Sequence, residues 1–192
     1  MTGKAARDGG GALRPAVFLD RDGVINVDAG YTFRVEDLRF TPTAVEGIRL
    51  LNEAGYLAIV VTNQSGVARG LYGVADIERF HARMQDELAR GGAHIDAFYH
   101  CAYHPDGTVA EFAREHEDRK PSPGMLLRAI RDLPVDRARS VMIGDRRSDM
   151  EVAARVGIPG ILVTPDICDL AYEVRRVLAG DLPALASPAP LV

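Results

Sequence analysis

Two aspartates, Asp20 and Asp22, follow the apolar run Ala16-Val17-Phe18-Leu19 and precede Gly23. A buried strand that ends in Asp-x-Asp-Gly sets two carboxylates at the mouth of a sheet, where open α/β sheets bind their ligands. Acids this close repel each other, so the pair calls for a cation and for a division of labour. Read alone, the same letters also describe an Asp-Gly turn after a strand. Three more polar groups stand in the same relation to an apolar run. Thr62-Asn63-Gln64-Ser65-Gly66 follows Leu57–Val61, Arg119-Lys120-Pro121 closes the long segment after Ala97–Cys101, and Gly144-Asp145-Arg146 follows Val141–Ile143. Each has a bland reading. Thr62-Asn63 ends a strand or caps a helix, Lys120 is a solvated loop lysine, Gly144-Asp145 is a turn, and Asp149 is a first-turn acid favoured by the helix dipole. Their ordered recurrence at four strand ends is what those readings leave unexplained.

The combined set suits phosphoryl transfer. A carboxylate nucleophile and a phosphate are both anionic, and unit charges about 4 Å apart repel by about 4 kcal/mol at an effective dielectric of about 20. A divalent cation held by Asp20 and Asp145 removes that penalty. Mg²⁺ takes a few carboxylate oxygens, waters and a phosphate oxygen, which fits. Asp20 can attack phosphorus and form an aspartyl-phosphate. Asp22 can protonate the leaving oxygen, then take a proton from the water that hydrolyses the intermediate. Thr62 and Lys120 can hold the equatorial oxygens while charge redistributes.

The elements that must position these groups are legible as well. Ala16–Leu19, Leu57–Val61, Ala97–Cys101, Val141–Ile143 and Gly160–Val163 read as strands covered on both faces, because they lack strict alternation. Helical patterns lie between them. The first opens with Thr41 as N-cap and Pro42 at the first helical position, and stops at Gly55. Ile77, Phe80, Met84 and Leu88 stripe the second; Pro123–Leu133, Ser148–Val156 and Ile167–Leu178 make the others. Strands alternating with helices give an α/β fold, a Rossmann-like parallel sheet with helices on both faces and no large cap domain. The connections 25–40 and 103–121 are too long to be plain links, and long loops in a compact domain are usually functional.

Composition bounds the class. The chain has 192 residues, 47% of them hydrophobic and 26% charged, as expected of one globular domain with a real core. We expect a phosphatase domain over 15–180, a mobile tail over 1–14 and a Pro/Ala-rich tail over 181–192. The net charge of −4 argues against a broad nucleic-acid surface. No apolar run reaches the roughly 20 residues that span a membrane, and Met1–Arg14 has no signal-peptide core. Two cysteines, Cys101 and Cys168, do not make a disulfide framework. A cytoplasmic monomer acting on a small molecule is the expectation.

Taken together, these motifs resemble the haloacid dehalogenase (HAD) superfamily of phosphatases, with Asp20-x-Asp22, Thr62, Lys120 and Asp145 standing for its four motifs in order. The chain is most similar to the heptose 1,7-bisphosphate 7-phosphatase branch over roughly residues 15–165. The similarity lies in Asp20–Asn26, Gly30-Tyr31, Leu51–Tyr56, Val61–Gly70, His104-Pro105, Arg119-Lys120-Pro121 and Pro123–Leu126. The resemblance implies Asp20 as nucleophile and Mg²⁺ ligand, Asp22 as acid/base and carbonyl ligand of Mg²⁺, and Asp145 as third anchor. It implies a substrate-facing flap at Asp28, Ala29, Gly30 and Tyr31. Thr62, Asn63, Gln64 and Ser65 would lie along phosphate and sugar, Arg119 on the distal phosphate and Lys120 on the transferring one. Arg146 stands where the branch usually has lysine, a like charge with a different geometry.

The branch also implies a zinc loop, Cys-x-His followed by Cys-x-Cys just before Arg-Lys-Pro. Here those positions read Cys101, Tyr103, His116 and Asp118, and only the first cysteine survives. A closed zinc site needs four soft ligands. Cys101, His104, His116 and Asp118 remain as an irregular set, and the expectation is a metal-free loop packed around Tyr103 and Phe112. Two other readings stay open: a histidinol-phosphate or other small phosphomonoester phosphatase, and a phosphoacceptor module. Against the module stands Asp22, because an acid two residues after the nucleophile promotes hydrolysis.

Overall fold

A computed structural model of the chain describes residues 12–185. Its centre is a five-stranded sheet in the order β3-β2-β1-β4-β5. The strands are β1 (Ala16–Leu19), β2 (Leu57–Asn63), β3 (Ala97–Cys101), β4 (Val141–Gly144) and β5 (Gly160–Leu162). Every pairing is parallel; Phe18 of β1 faces Ile59 of β2 on one side and Met142 of β4 on the other. The expected α/β class and parallel sheet are therefore present.

The continuous apolar strands make sense because both faces are covered. Val17, Leu19, Val60 and Ile143 pack with Ile48, Phe80, Met84, Leu170 and Val174 on one face. Those residues come from α1 (Ala44–Glu53), α2 (Val74–Arg90) and α5 (Leu170–Leu178). Phe18, Ile59, Val61 and Met142 pack on the other face with Met125, Leu126, Val152 and Val156, supplied by α3 (Gly124–Asp132) and α4 (Arg147–Val156). Burying each such side chain contributes about 1.5–3 kcal/mol. The chain runs outward through β1, β2 and β3, then returns to the far side of β1 with β4. The strand order thus reverses at β1, and the carboxyl ends of β1, β2 and β4 face the crevice that such a reversal creates.

Most element ends lie within two residues of the sequence reading, and three departures have a physical cause. Helix α1 starts at Ala44, with Thr43 as its N-cap in a left-handed conformation. Thr41 does not cap it, because its buried hydroxyl donates to the Val24 carbonyl at 2.6 Å and ties the flap root instead. Helix α5 starts at Leu170 because the Asp169 carboxylate caps it, accepting from Tyr172 N at 3.0 Å. Arg14, expected in a tail, belongs to the packed domain: its N–H donates to Pro134 O at 2.7 Å and its side chain to Gly55 O at 2.9 Å. Residues 1–11 and 186–192 of the two expected tails lie outside the described residues.

Candidate active site

Asp20 is the residue after β1, and its N–H donates to Ile143 O of β4 at 3.0 Å. Asp145 follows β4 directly. The two therefore emerge side by side at the carboxyl edge. Two glycines let them meet. A Cβ on Gly23, whose φ is +82°, would stand 2.7 Å from Asp145 Oδ2, and one on Gly144 would stand 2.3 Å from Asp149 Cβ. Asp20, Asp145 and Asp149 then converge, with a carboxylate oxygen from each within 4.8 Å of the others.

Lys120 answers these acids. It is 3% exposed, and Nζ donates to Val61 O at 2.8 Å and pairs with Asp20 Oδ1 at 2.9 Å and Asp149 Oδ1 at 2.6 Å. Asn63 places it by exchanging two hydrogen bonds with the Lys120 backbone, each 3.0 Å. Burial pushes the Lys120 ammonium down, but the Asp20 and Asp149 carboxylates outweigh that and hold it above its usual value. Burial raises the Asp20 carboxyl, as do Asp149 and Asp22, while Lys120 pulls it down. Asp145 is raised mainly by burial. Lys120, and the Arg146 guanidinium 3.9 Å from Asp145, only partly offset the three acids, and Asp145 Oδ1 is buried without a hydrogen-bond partner. A divalent oxygen-seeking cation such as Mg²⁺ fits that donor set.

Asp22 sits in different company. Its Oδ1 accepts from Asn26 Nδ2 at 3.0 Å and its Oδ2 from Gln64 Nε2 at 2.8 Å, and the neighbouring Arg21 guanidinium pairs with both oxygens. Gln64 is 2% exposed and also bonds Thr62 Oγ1 and the Tyr72 hydroxyl. Its amide is thus bonded within the protein, where it orients Asp22 and Thr62, and the residue also lines a space beside the site.

A cavity of about 180 Å³ lies over these groups, lined by Asp20, Asp22, Thr62, Asn63, Ser65, Arg119, Lys120 and Arg146. It adjoins a second space of about 270 Å³ that shares Asp22, Asn63, Ser65 and Arg146 and adds Gln64, Tyr72 and the flap residues Asp28, Gly30 and Tyr31. These three flap residues therefore face the site. Ala29 is not among the lining residues of either space; its N–H donates to Thr32 Oγ1 at 3.0 Å and shapes the turn. Arg146 reaches across to Asp28 at 3.2 Å, and Arg119 donates to Tyr103 O at 3.3 Å.

Cys101, His104, His116 and Asp118 do not converge on one point, although His116 Nδ1 lies 3.8 Å from Asp118 Oδ2. Cys101 Sγ lies 3.9 Å from Tyr103 O. His104 faces Arg69, with 3.4 Å between Nε2 and the guanidinium. His116 stacks on Tyr103 with centroids 4.0 Å apart, and Asp118 pairs with Arg128 at 2.9 Å. Among the described residues, the one cluster of His, Cys, Asp or Glu with converging ligand atoms is the aspartate trio. The zinc-loop donor set does not fit zinc. The loop is held instead by the Tyr103–His116 stack, with Phe112 beside it and the Arg114 guanidinium over the Tyr103 ring at 4.6 Å.

Two site residues carry no clear signal in the sequence. Asp149 fits a dipole acid, and its Oδ2 does accept from Arg146 N at the helix start. The same carboxylate also pairs with Lys120. Arg21 is marked by nothing beyond its place between the two aspartates.

Known proteins match this arrangement. The profile of the HAD-hydrolase-like family matches residues 118–181. A D-glycero-β-D-manno-heptose-1,7-bisphosphate 7-phosphatase of Rhodopseudomonas palustris is 47% identical over 178 residues, 93% of this chain and 94% of that protein. The chain belongs to the heptose-bisphosphate phosphatase family of HAD-like hydrolases. The enzyme of that name from Escherichia coli K12 is 42% identical over 176 residues, 88% of this chain and 92% of its own. The crystal structure of D,D-heptose 1,7-bisphosphate phosphatase from B. bronchiseptica, complexed with magnesium and phosphate, superposes with a TM-score of 0.70 at 32% identity. That match covers 91% of this chain and 92% of the other. The chain is accordingly an enzyme, a phosphomonoester hydrolase. No described helix is long and apolar enough to cross a membrane.

Proposed function

We propose that the chain is a Mg²⁺-dependent phosphatase that removes the C7 phosphate of D-glycero-β-D-manno-heptose 1,7-bisphosphate. The observation that carries this is one cavity with an acidic floor and a cationic rim: Asp20 and Lys120 below, Arg119 and Arg146 at its walls. The floor suits a cation and a transferring phosphoryl group. Two guanidiniums, which match phosphate oxygens in a fork, suit a second phosphate on the same small molecule. The names of the relatives supply the sugar.

In this reading Asp20 attacks phosphorus, its O–P bond forming as the P–O bond to the sugar breaks. Asp22 gives its proton to the departing oxygen. Lys120 and Thr62 hold the equatorial oxygens, and Lys120 keeps Asp20 aimed. Water then attacks the aspartyl-phosphate, Asp22 takes the proton, and Asp20 is freed with inorganic phosphate. Asp20 and Asp145, with the Asp22 carbonyl, would hold Mg²⁺, with Asp149 behind them. When bound, the ion neutralises the floor and screens phosphate from carboxylate.

Phosphate release with Mg²⁺ tests the assignment on the heptose bisphosphate, heptose 7-phosphate and histidinol phosphate. We expect kcat/KM to be highest for the bisphosphate. Comparable or better turnover of histidinol phosphate contradicts the sugar assignment and leaves the phosphatase chemistry standing.

A further inference from the structure

The Asp22 carboxylate is clamped from behind by a charge that no exposed surface explains. Arg21 is 0% exposed. Its Nη2 donates to Asp22 Oδ1 at 2.9 Å and Oδ2 at 2.8 Å, and its Nε to Oδ1 at 3.1 Å. The rest of the guanidinium is fixed in turn. Nη2 also donates to Thr32 O at 2.7 Å, Nη1 lies 3.5 Å from His81 Nε2, and the Phe80 ring lies under the group at 4.6 Å. Burial, and then Arg21 itself, hold the His81 imidazole neutral, so its nitrogen can accept from the guanidinium. A buried ion pair seldom adds stability over an apolar pair of equal volume, because desolvation offsets the attraction. Removing Arg21 would leave Asp22 with only the two neutral amides of Asn26 and Gln64.

We propose that Arg21 is the positioning residue of Asp22, its buried fork fixing the rotamer in which the Asp22 carboxyl faces the leaving oxygen. Arg21 itself exchanges no proton. The bond to Thr32 O links the clamp to the flap, so the segment that faces substrate and the group that protonates it share one anchor. Lysine cannot replace the fork, since one ammonium does not bond both carboxylate oxygens in a plane.

This rests on the acid/base reading of Asp22, and the test separates the two. kcat/KM reports phosphoryl transfer to Asp20. A sugar phosphate needs a proton on its leaving oxygen; p-nitrophenyl phosphate does not. General acids contribute on the order of 10²–10⁴ in rate, so for Arg21→Met the loss on the sugar phosphate should exceed that on the aryl ester by at least about tenfold. Arg21→Lys should show the same bias, and it carries the comparison if the Met variant does not fold. In an Asp22→Asn background, Arg21→Lys should add no further bias, because it acts only through Asp22. Equal losses on both substrates in the Arg21 variants, with a biased loss in Asp22→Asn, overturn this proposal alone. An unbiased loss in Asp22→Asn overturns the acid role and this proposal with it.

Discussion

At Asp20 and Lys120 the side chains are packed where water would normally hold their charges, and the surroundings decide their state. The same physics acts on His81, one layer behind. Burial and the Arg21 cation push its imidazole from the usual 6.5 down to about 2. The native state therefore stays unprotonated while the unfolded chain takes a proton below about 6.5. No such penalty applies above that pH, and stability is lost as the pH falls from about 6.5 towards 2, by up to about 1.4 kcal/mol per unit. In His81→Gln we expect a shallower fall in urea-unfolding free energy between pH 6.5 and 4.5 than in the parent chain. Parallel curves contradict it. Residue types and strand-end positions make Asp20, Asp22, Thr62, Lys120 and Asp145 legible in the sequence alone. Arg21 and Asp149 are hidden there, because nothing in a sequence distinguishes an arginine in solvent from one under a carboxylate. Asp149 is doubly hidden, since a helix start accounts for an acid there by itself.

At the scale of elements, two long connections shape the pocket and the sheet supplies its floor. Their length and placement mark them as functional, but their internal bonding depends on partners distant in sequence. Asp28 N–H binds Asp166 at 2.8 Å, and Thr108 and Val109 N–H groups bind Ala68 O. The start of α1 departs from the sequence pattern for the same reason: Thr41 and Pro42 make a good local start signal, and the Val24 carbonyl competes successfully for the Thr41 hydroxyl. Arg119 is the product of the second connection, presented at the cavity by Tyr103 O and the aromatic stack beneath it. Hydrogen bonds to charged groups contribute about 1.5–3 kcal/mol, so Arg119→Ala should lower kcat/KM for the bisphosphate by roughly ten- to hundredfold. The loss for heptose 7-phosphate should be several times smaller. Equal losses would place Arg119 on the transferring phosphate instead.

At the scale of the molecule, the acidic floor makes cation binding and folding one problem. An ion that binds only the native state adds about 2.7 kcal/mol at a hundred times its dissociation constant. For a domain this size each kcal/mol moves the midpoint by about 2–4 °C. Saturating Mg²⁺ should therefore raise Tm by roughly 5–10 °C, and Asp145→Asn should remove most of that rise; an unchanged rise would place the ion elsewhere. The parallel sheet, and the edge of it that carries the chemistry, follow from the βαβ pattern alone. A covalent bond between phosphorus and Asp20 is the centre of the proposed mechanism. Single-turnover reaction with the heptose bisphosphate and Mg²⁺, quenched in acid and treated with borohydride, converts an acyl-phosphate to the alcohol. Peptide mass spectrometry should then find homoserine at position 20 and at no other aspartate. Phosphate release with residue 20 unmodified, or modification at Asp145 or Asp149 instead, would contradict the mechanism.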